Sequence, residues 1–100
     1  MIYSIFDTHI EISFKWWVMV YFLTEHARDA LEKRRIPLEW MEKTLDSPEW
    51  TERDLMDEDL EHRLARIPEF EGRVLRVIVN SKTNPIRIVT VYFDRRRTTP

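Results

Sequence analysis

The sequence predicts an α+β domain: a two-helix hairpin packed on a three- or four-stranded antiparallel sheet, with an extra N-terminal strand. Three observations carry this expectation. Residues 72–80 and 86–94 form two runs rich in β-branched and aromatic side chains, which suit a pleated, half-buried surface. Residues 25–46 hold two stretches with apolar side chains at helical spacing, divided at Ile36-Pro37. Residues 10–16 alternate Ile10, Ile12, Phe14 and Trp16 with Glu11, Ser13 and Lys15, the period-two pattern of a strand with one wet face.

In chain order, residues 1–18 are set apart as an N-terminal extension forming the extra strand. Residues 19–97 make one α+β domain, and 98–100 a tail. The N-terminal strand needs a partner, either the sheet edge or a second copy of the chain, so a homodimer through it is one expectation. Thr24 is a good N-cap for the first helix, with Glu25 and Asp29 near its positive end and Lys33, Arg34 and Arg35 near its negative end. Pro37 fits the first turn of a second helix carrying Leu38, Met41 and Leu45 as its buried stripe, and Asp46-Ser47-Pro48 ends it. Residues 49–59 are dominated by acids and read as a solvated loop. Residues 60–67 form a strand, Pro68 to Gly72 turns the chain, and the two β-rich runs pair across Ser81-Lys82-Thr83-Asn84-Pro85. The core is expected from Leu31, Leu38, Met41, Leu45, Leu75, Val77, Val79, Ile88 and either Val89 or Val91. The last strand is apolar on both faces, so its inward parity stays open.

Composition narrows the function classes. The 100 residues are 43% hydrophobic with a single Gly, as a compact chain requires. There is no Cys, which excludes disulfides and thiolate metal sites, and the three His are scattered. No metal or cofactor is expected. The start lacks a basic signal region, and the apolar run 16–23 is far short of the roughly 20 residues that cross a bilayer. The expectation is a cytoplasmic protein with no membrane association. Net charge is −2, yet it is unevenly spread. Residues 1–62 hold 7 Lys/Arg against 15 Asp/Glu, whereas residues 63–100 hold 9 against 3. One basic surface on an acidic chain follows from such polarity, and so does simple attraction between the two halves.

Several short motifs then fall in a familiar order: His26-Ala27-Arg28 opening a helix, the Arg35-Ile36-Pro37 link, the Asp46-Ser47-Pro48 stop, Arg63-Leu64-Ala65-Arg66, the run from Arg73 to Val79, and Ile88-Val89-Thr90-Val91-Tyr92. In this the chain resembles the small bacterial domain of unknown function numbered forty-two fifty-eight. That layout is in turn similar to the BrnT toxins and, more distantly, to RelE/ParE-type toxins of toxin–antitoxin pairs.

The resemblance implies RNA as a candidate substrate, cleaved without metal by attack of a ribose 2′-hydroxyl on its neighbouring phosphate. An enzyme of this kind is a toxin-like endoribonuclease with an antitoxin protein as partner. Such chemistry needs cations on the developing phosphorane charge, a base and an acid. Arginine suits the first task through its planar, permanently charged fork. Candidate catalytic residues are His26, Arg76 and Tyr92, with His62 also titrating in a suitable range. Candidate RNA- or phosphate-binding residues are Arg63, Arg66, Arg73, Arg95, Arg96 and Arg97. Each has a plainer reading: His26 as cover for the sheet, Tyr92 as a packed strand residue, Arg76 as a solvated strand cation, and Arg95 to Arg97 as a frayed end. Two other functions compete: a non-catalytic interaction domain binding an acidic protein partner, and a structural dimerising domain. The RNA reading requires cations from separate strands to gather in one electropositive concavity.

Overall fold

The computed structural model describes residues 2–4 and 19–97. The elements are β1 (Ile2–Ser4), β2 (Met19–Leu23), α1 (Glu25–Arg34), α2 (Leu38–Asp46), β3 (Trp50–Arg53), β4 (Leu60–Ile67), a single 3-10 turn (Pro68–Phe70), β5 (Arg73–Asn80) and β6 (Ile86–Asp94). The fold is α+β, with two helices against one sheet.

The strands lie in the order β1-β2-β6-β5-β4-β3. This corrects the expected antiparallel sheet of three or four strands: the sheet is six-stranded and mixed. β1 runs parallel to β2, and β2 parallel to β6, whereas β3 to β6 are antiparallel neighbours. The reason is the helix pair. It carries the chain from β2 to the far edge of the sheet, and the antiparallel meander back leaves β6 running alongside β2. β3 arises inside the acidic segment expected to be a loop. Trp50 to Arg53 pair with Leu64 to Glu61, and the short edge strand alternates half-buried and exposed residues. β1 supplies an extra N-terminal strand, but the alternating residues 10–16 lie outside the described residues, as does any dimer contact through them.

Thr24 ties the helical layer to the sheet. Its hydroxyl oxygen accepts a hydrogen bond from the Ala27 N–H at 3.1 Å, the N-cap contact of α1. The same hydroxyl donates to the Ile88 carbonyl at 2.8 Å and lies 3.2 Å from that of Val89. Ile78 pairs with Thr90 and Val79 with Ile88, so Val89 is the unpaired residue of a β-bulge. The bulge settles which face of β6 is inside. Before it Ile86 and Ile88 pack on the helices; after it Val91 and Phe93 do. Both parities are apolar because both are used.

The core between helices and sheet contains Tyr21, Leu23, Leu31, Met41, Leu45, Leu75, Val77, Val79, Ile88 and Val91. Leu38, expected there, is 46% exposed at the start of α2, and Met41, Thr44 and Leu45 form the buried stripe instead. The Thr44 hydroxyl is satisfied by the Trp40 carbonyl at 2.9 Å. Tyr21 donates its hydroxyl to Glu42 at 3.0 Å, joining β2 to α2. Burial raises the Tyr21 hydroxyl above the ordinary tyrosine range, and the adjacent Glu42 charge adds to this. Burial likewise raises Glu42, partly offset by the Tyr21 hydrogen bond. Among the described residues no helix is long and apolar enough to cross a membrane.

Candidate functional site

Two neighbouring clefts flank the end of β6, and Tyr92 lines both. The first, of about 510 Å³, opens beside the helices. Arg34 and Arg35 come from the end of α1, Trp40 from α2, Phe70 from the 3-10 turn, Arg73 from β5, and Phe93 and Arg95 from the end of β6. Trp40, Phe70 and Phe93 make its floor. Phe70 and Phe93 have ring centroids 4.9 Å apart, Trp40 stands edge-on to Phe93 at 6.1 Å, and Trp40 to Phe70 is 5.8 Å. The Arg73 guanidinium sits 4.6 Å over the Phe70 ring.

The charge here is unbalanced. Arg73 has one loose, exposed carboxylate at 3.6 Å, Glu71. Arg34, Arg35 and Arg95 have no ion pair among the described residues. Four cations therefore surround an aromatic surface with one weak counter-charge. Backbone geometry adds a further sign. Arg35 caps α1 in the left-handed region, at φ 53 and ψ 46, where its N–H and that of Ile36 close the last turn. Glycine is the usual occupant of that position because an L side chain is strained there.

The second cleft, of about 610 Å³, lies on the opposite face of the sheet. At its base Arg76 is buried, 7% exposed. Its Nη2 and Nε donate to Asp94 Oδ2 at 2.7 and 3.2 Å, and Nη1 donates to Glu52 Oε1 at 3.1 Å. Nη1 also lies 2.7 Å from His62 Nδ1, and His62 Nε2 lies 2.7 Å from Asp54 Oδ1. A guanidinium only donates, so Nδ1 accepts and Nε2 carries the proton towards Asp54. Arg97 pairs with Glu52 on the same face. Burial raises the Asp94 carboxyl, but hydrogen bonds from Arg76 and the Arg96 N–H, with their positive charge, bring it below the ordinary aspartate range overall. The hydrogen bond from His62 leads in lowering Asp54, with the N–H groups of Asp57 and Met56 helping. Here Arg76 and Arg97 are paired with carboxylates, whereas Arg53 and Arg96 at the rim have no ion pair among the described residues.

The residues singled out from sequence are thus divided. Arg73 and Arg95 enter the first cleft; Arg76, Arg96 and Arg97 enter the second; Tyr92 touches both. Arg76 is the centre of a buried network, not the solvated strand cation of the plainer reading. Arg63 turns to the helices, donating to the Leu45 carbonyl near the end of α2 at 2.9 Å and to Glu61 at 2.9 Å. Arg66 is engaged with Glu49, whose carboxyl is lowered by the Arg66 backbone N–H and then its side chain. His26 is exposed in the first turn of α1, eight residues from Arg34, or about 12 Å along the axis. The cations named from sequence do not all share one concavity, but Arg73 of β5 and Arg95 beyond β6 do meet in the first cleft. Arg34, Arg35, Trp40 and Phe70 were missed: the arginines looked like ordinary complements to the helix dipole. The signal was an Arg directly before Ile36-Pro37, with no Gly or Asn available for the left-handed cap.

Residues 23–93 match the family described as Domain of unknown function (DUF4258). The chain belongs to that family. The matched span of this DUF4258 domain runs from the end of β2 to Phe93 near the end of β6 and so includes both helices, four strands and every cleft-lining residue named above except Asp94, Arg95, Arg96 and Arg97. Searches of curated proteins and of solved structures gave no match. Among the described residues no group of three or more His, Asp or Glu side chains is placed to hold a metal ion.

Proposed function

We propose that this DUF4258 domain is a toxin-like, metal-independent endoribonuclease that holds single-stranded RNA in the arginine–aromatic cleft. The observation that carries the reading is the set of four arginines with one weak counter-charge around Trp40, Phe70 and Phe93. Phosphates suit the guanidinium forks, and an unstacked base suits the aromatic surface. A duplex hides its base faces and gains nothing from that floor.

In the cleavage step the ribose 2′-hydroxyl gives its proton to solvent water, its oxygen bonds to the adjacent phosphorus, and the bond from that phosphorus to the 5′-oxygen of the next nucleotide breaks. The products are a 2′,3′-cyclic phosphate and a 5′-hydroxyl. Arg73 and Arg95 would stabilise the pentavalent charge, and Tyr92, on the ridge between the clefts, would donate the proton to the leaving oxygen. His62 is unsuited to that step because both its ring nitrogens are engaged. The test is incubation of labelled single-stranded RNA, in the presence of EDTA, with the parent and Tyr92→Phe. The reading expects cyclic-phosphate ends from the parent, none from a strand with a 2′-deoxy residue at the cut, and tight binding without cleavage by Tyr92→Phe. Absence of RNA binding at low salt removes the reading.

A second reading rests on the same aromatic floor. An acidic peptide with apolar side chains, the expected form of an antitoxin segment, would use the arginines and the rings together. Binding without cleavage by the parent protein would favour it.

A further inference from the structure

We propose that the β3–β4 loop of one copy of this chain docks in the arginine–aromatic cleft of a second copy. The loop carries the two most exposed large apolar side chains among the described residues, Leu55 at 97% and Met56 at 94%. It is not slack. The Asp54 carboxylate accepts hydrogen bonds from the N–H groups of Met56 at 3.0 Å and Asp57 at 2.9 Å, and Asp57 accepts from Asp59 at 2.9 Å. Two bare apolar side chains are therefore held out on a shaped loop, and much of the ordering cost of docking has already been met.

The loop and the cleft are complementary in both charge and polarity. Asp57 and Glu58 directly follow the apolar pair with no ion pair of their own among the described residues, whereas Asp59 is bound to Lys82 at 2.9 Å. The cleft offers the unpaired Arg34 and Arg95 around an aromatic floor. Within one chain the sheet stands between the two: Leu55 and Met56 border the second cleft, on the face opposite the first. The loop joins β4 at Leu60, whereas the cleft's Phe70 lies just past Ile67 at the other end of the strand. Seven residue steps separate those ends, about 23 Å. The occupant must come from another molecule. Because different patches meet, the contact is head-to-tail and extends to rings or short chains. It also covers the site where RNA would bind, yet it depends only on charge and apolar surface and stands whether or not RNA is the ligand.

A patch of this size belongs to the weak class of interface, with a dissociation constant on the order of 10–1000 μM. Sedimentation of the full chain at low salt tests it. The parent is expected to gain mass with concentration and to lose that gain as salt rises. Leu55→Ser/Met56→Ser and Arg34→Glu/Arg95→Glu should each stay monomeric. Mixed together they should form a one-to-one dimer and nothing larger, since one supplies an intact cleft and the other an intact loop. That rescue also shows that both variants are folded. Parent-like association by either variant alone, or no dimer in the mixture, overturns the proposal. RNA titration of the parent and of Leu55→Ser/Met56→Ser separates the two readings: parent-like RNA affinity of the variant without self-association leaves the RNA site intact, and self-association of the parent with no RNA binding by either protein removes only the RNA reading.

Discussion

Replacing Arg35 by glycine should leave the protein as stable as before, or more so, while weakening its hold on RNA. Arg35 occupies the left-handed region at φ 53. That conformation costs an L residue roughly 1–2 kcal/mol. Glycine relieves it but adds about 0.5–1 kcal/mol of unfolded-state freedom. The net effect of Arg35→Gly is a gain of about 0–1.5 kcal/mol, or roughly 0–12 °C in melting temperature for a chain of this size. Its effect on binding has the opposite sign. If each of the four cleft arginines meets a phosphate, the slope of log K against log salt is about −2.8 for a single strand, and three arginines give about −2.1. Between about 50 and 200 mM salt the parent should lose roughly 50-fold in affinity and Arg35→Gly roughly 20-fold, starting from weaker binding. Fluorescence anisotropy with a labelled single-stranded oligonucleotide measures the slopes, and a thermal melt measures the stability. A variant that melts much earlier yet binds with an unchanged slope would refute the reasoning, because Arg35 would then be serving the helix and not the cleft.

Arg76→Met should destabilise by about 3 kcal/mol, at the lower end for breaking a buried ion pair because Glu52 keeps Arg97; urea unfolding at neutral pH measures it. Thr24→Ala should cost about 2 kcal/mol, the sum of a lost N-cap and a lost bond to the bulge, whereas Thr24→Ser should cost less than half of that in the same assay. Acid should weaken the fold. Asp94, Asp54 and Glu49 all lie below the ordinary carboxylate range, so their stabilisation is full above about pH 4–5 and fades as pH falls through their folded values. Glu42 is raised and works the other way, losing its contribution as pH rises. With three groups against one, the urea midpoint should drop between about pH 6 and pH 3; a midpoint that rises instead would contradict the assigned networks.

The parts of the fold legible in the sequence were those written in local chemistry. Thr24, Pro37 and the helical spacing marked both helices, and the β-branched runs marked β5 and β6. β3 was hidden because its pairing with β4 is a long-range contact made by an acidic stretch with one large apolar side chain. The bulge at Val89 was hidden because a change of parity looks like a strand that is apolar on both sides. The site was less legible for the same reason. The partners of Arg76 stand 14, 18 and 24 residues away, so nothing local distinguished it from an ordinary strand arginine. The aromatic floor combines one residue each from a helix, a turn and a strand end, and the sheet order alone brings them together.

The position of β6 has a consequence for biosynthesis. It lies between β2 and β5, yet it emerges from the ribosome after every strand it joins. Until residue 94 is out, the nascent chain holds two halves of a sheet with a gap in the middle and two unsatisfied backbone rows facing it. Translation pauses or premature stops just before the arginine-rich end would therefore leave a species prone to clumping, and this small protein should depend on holdase chaperones more than its size suggests.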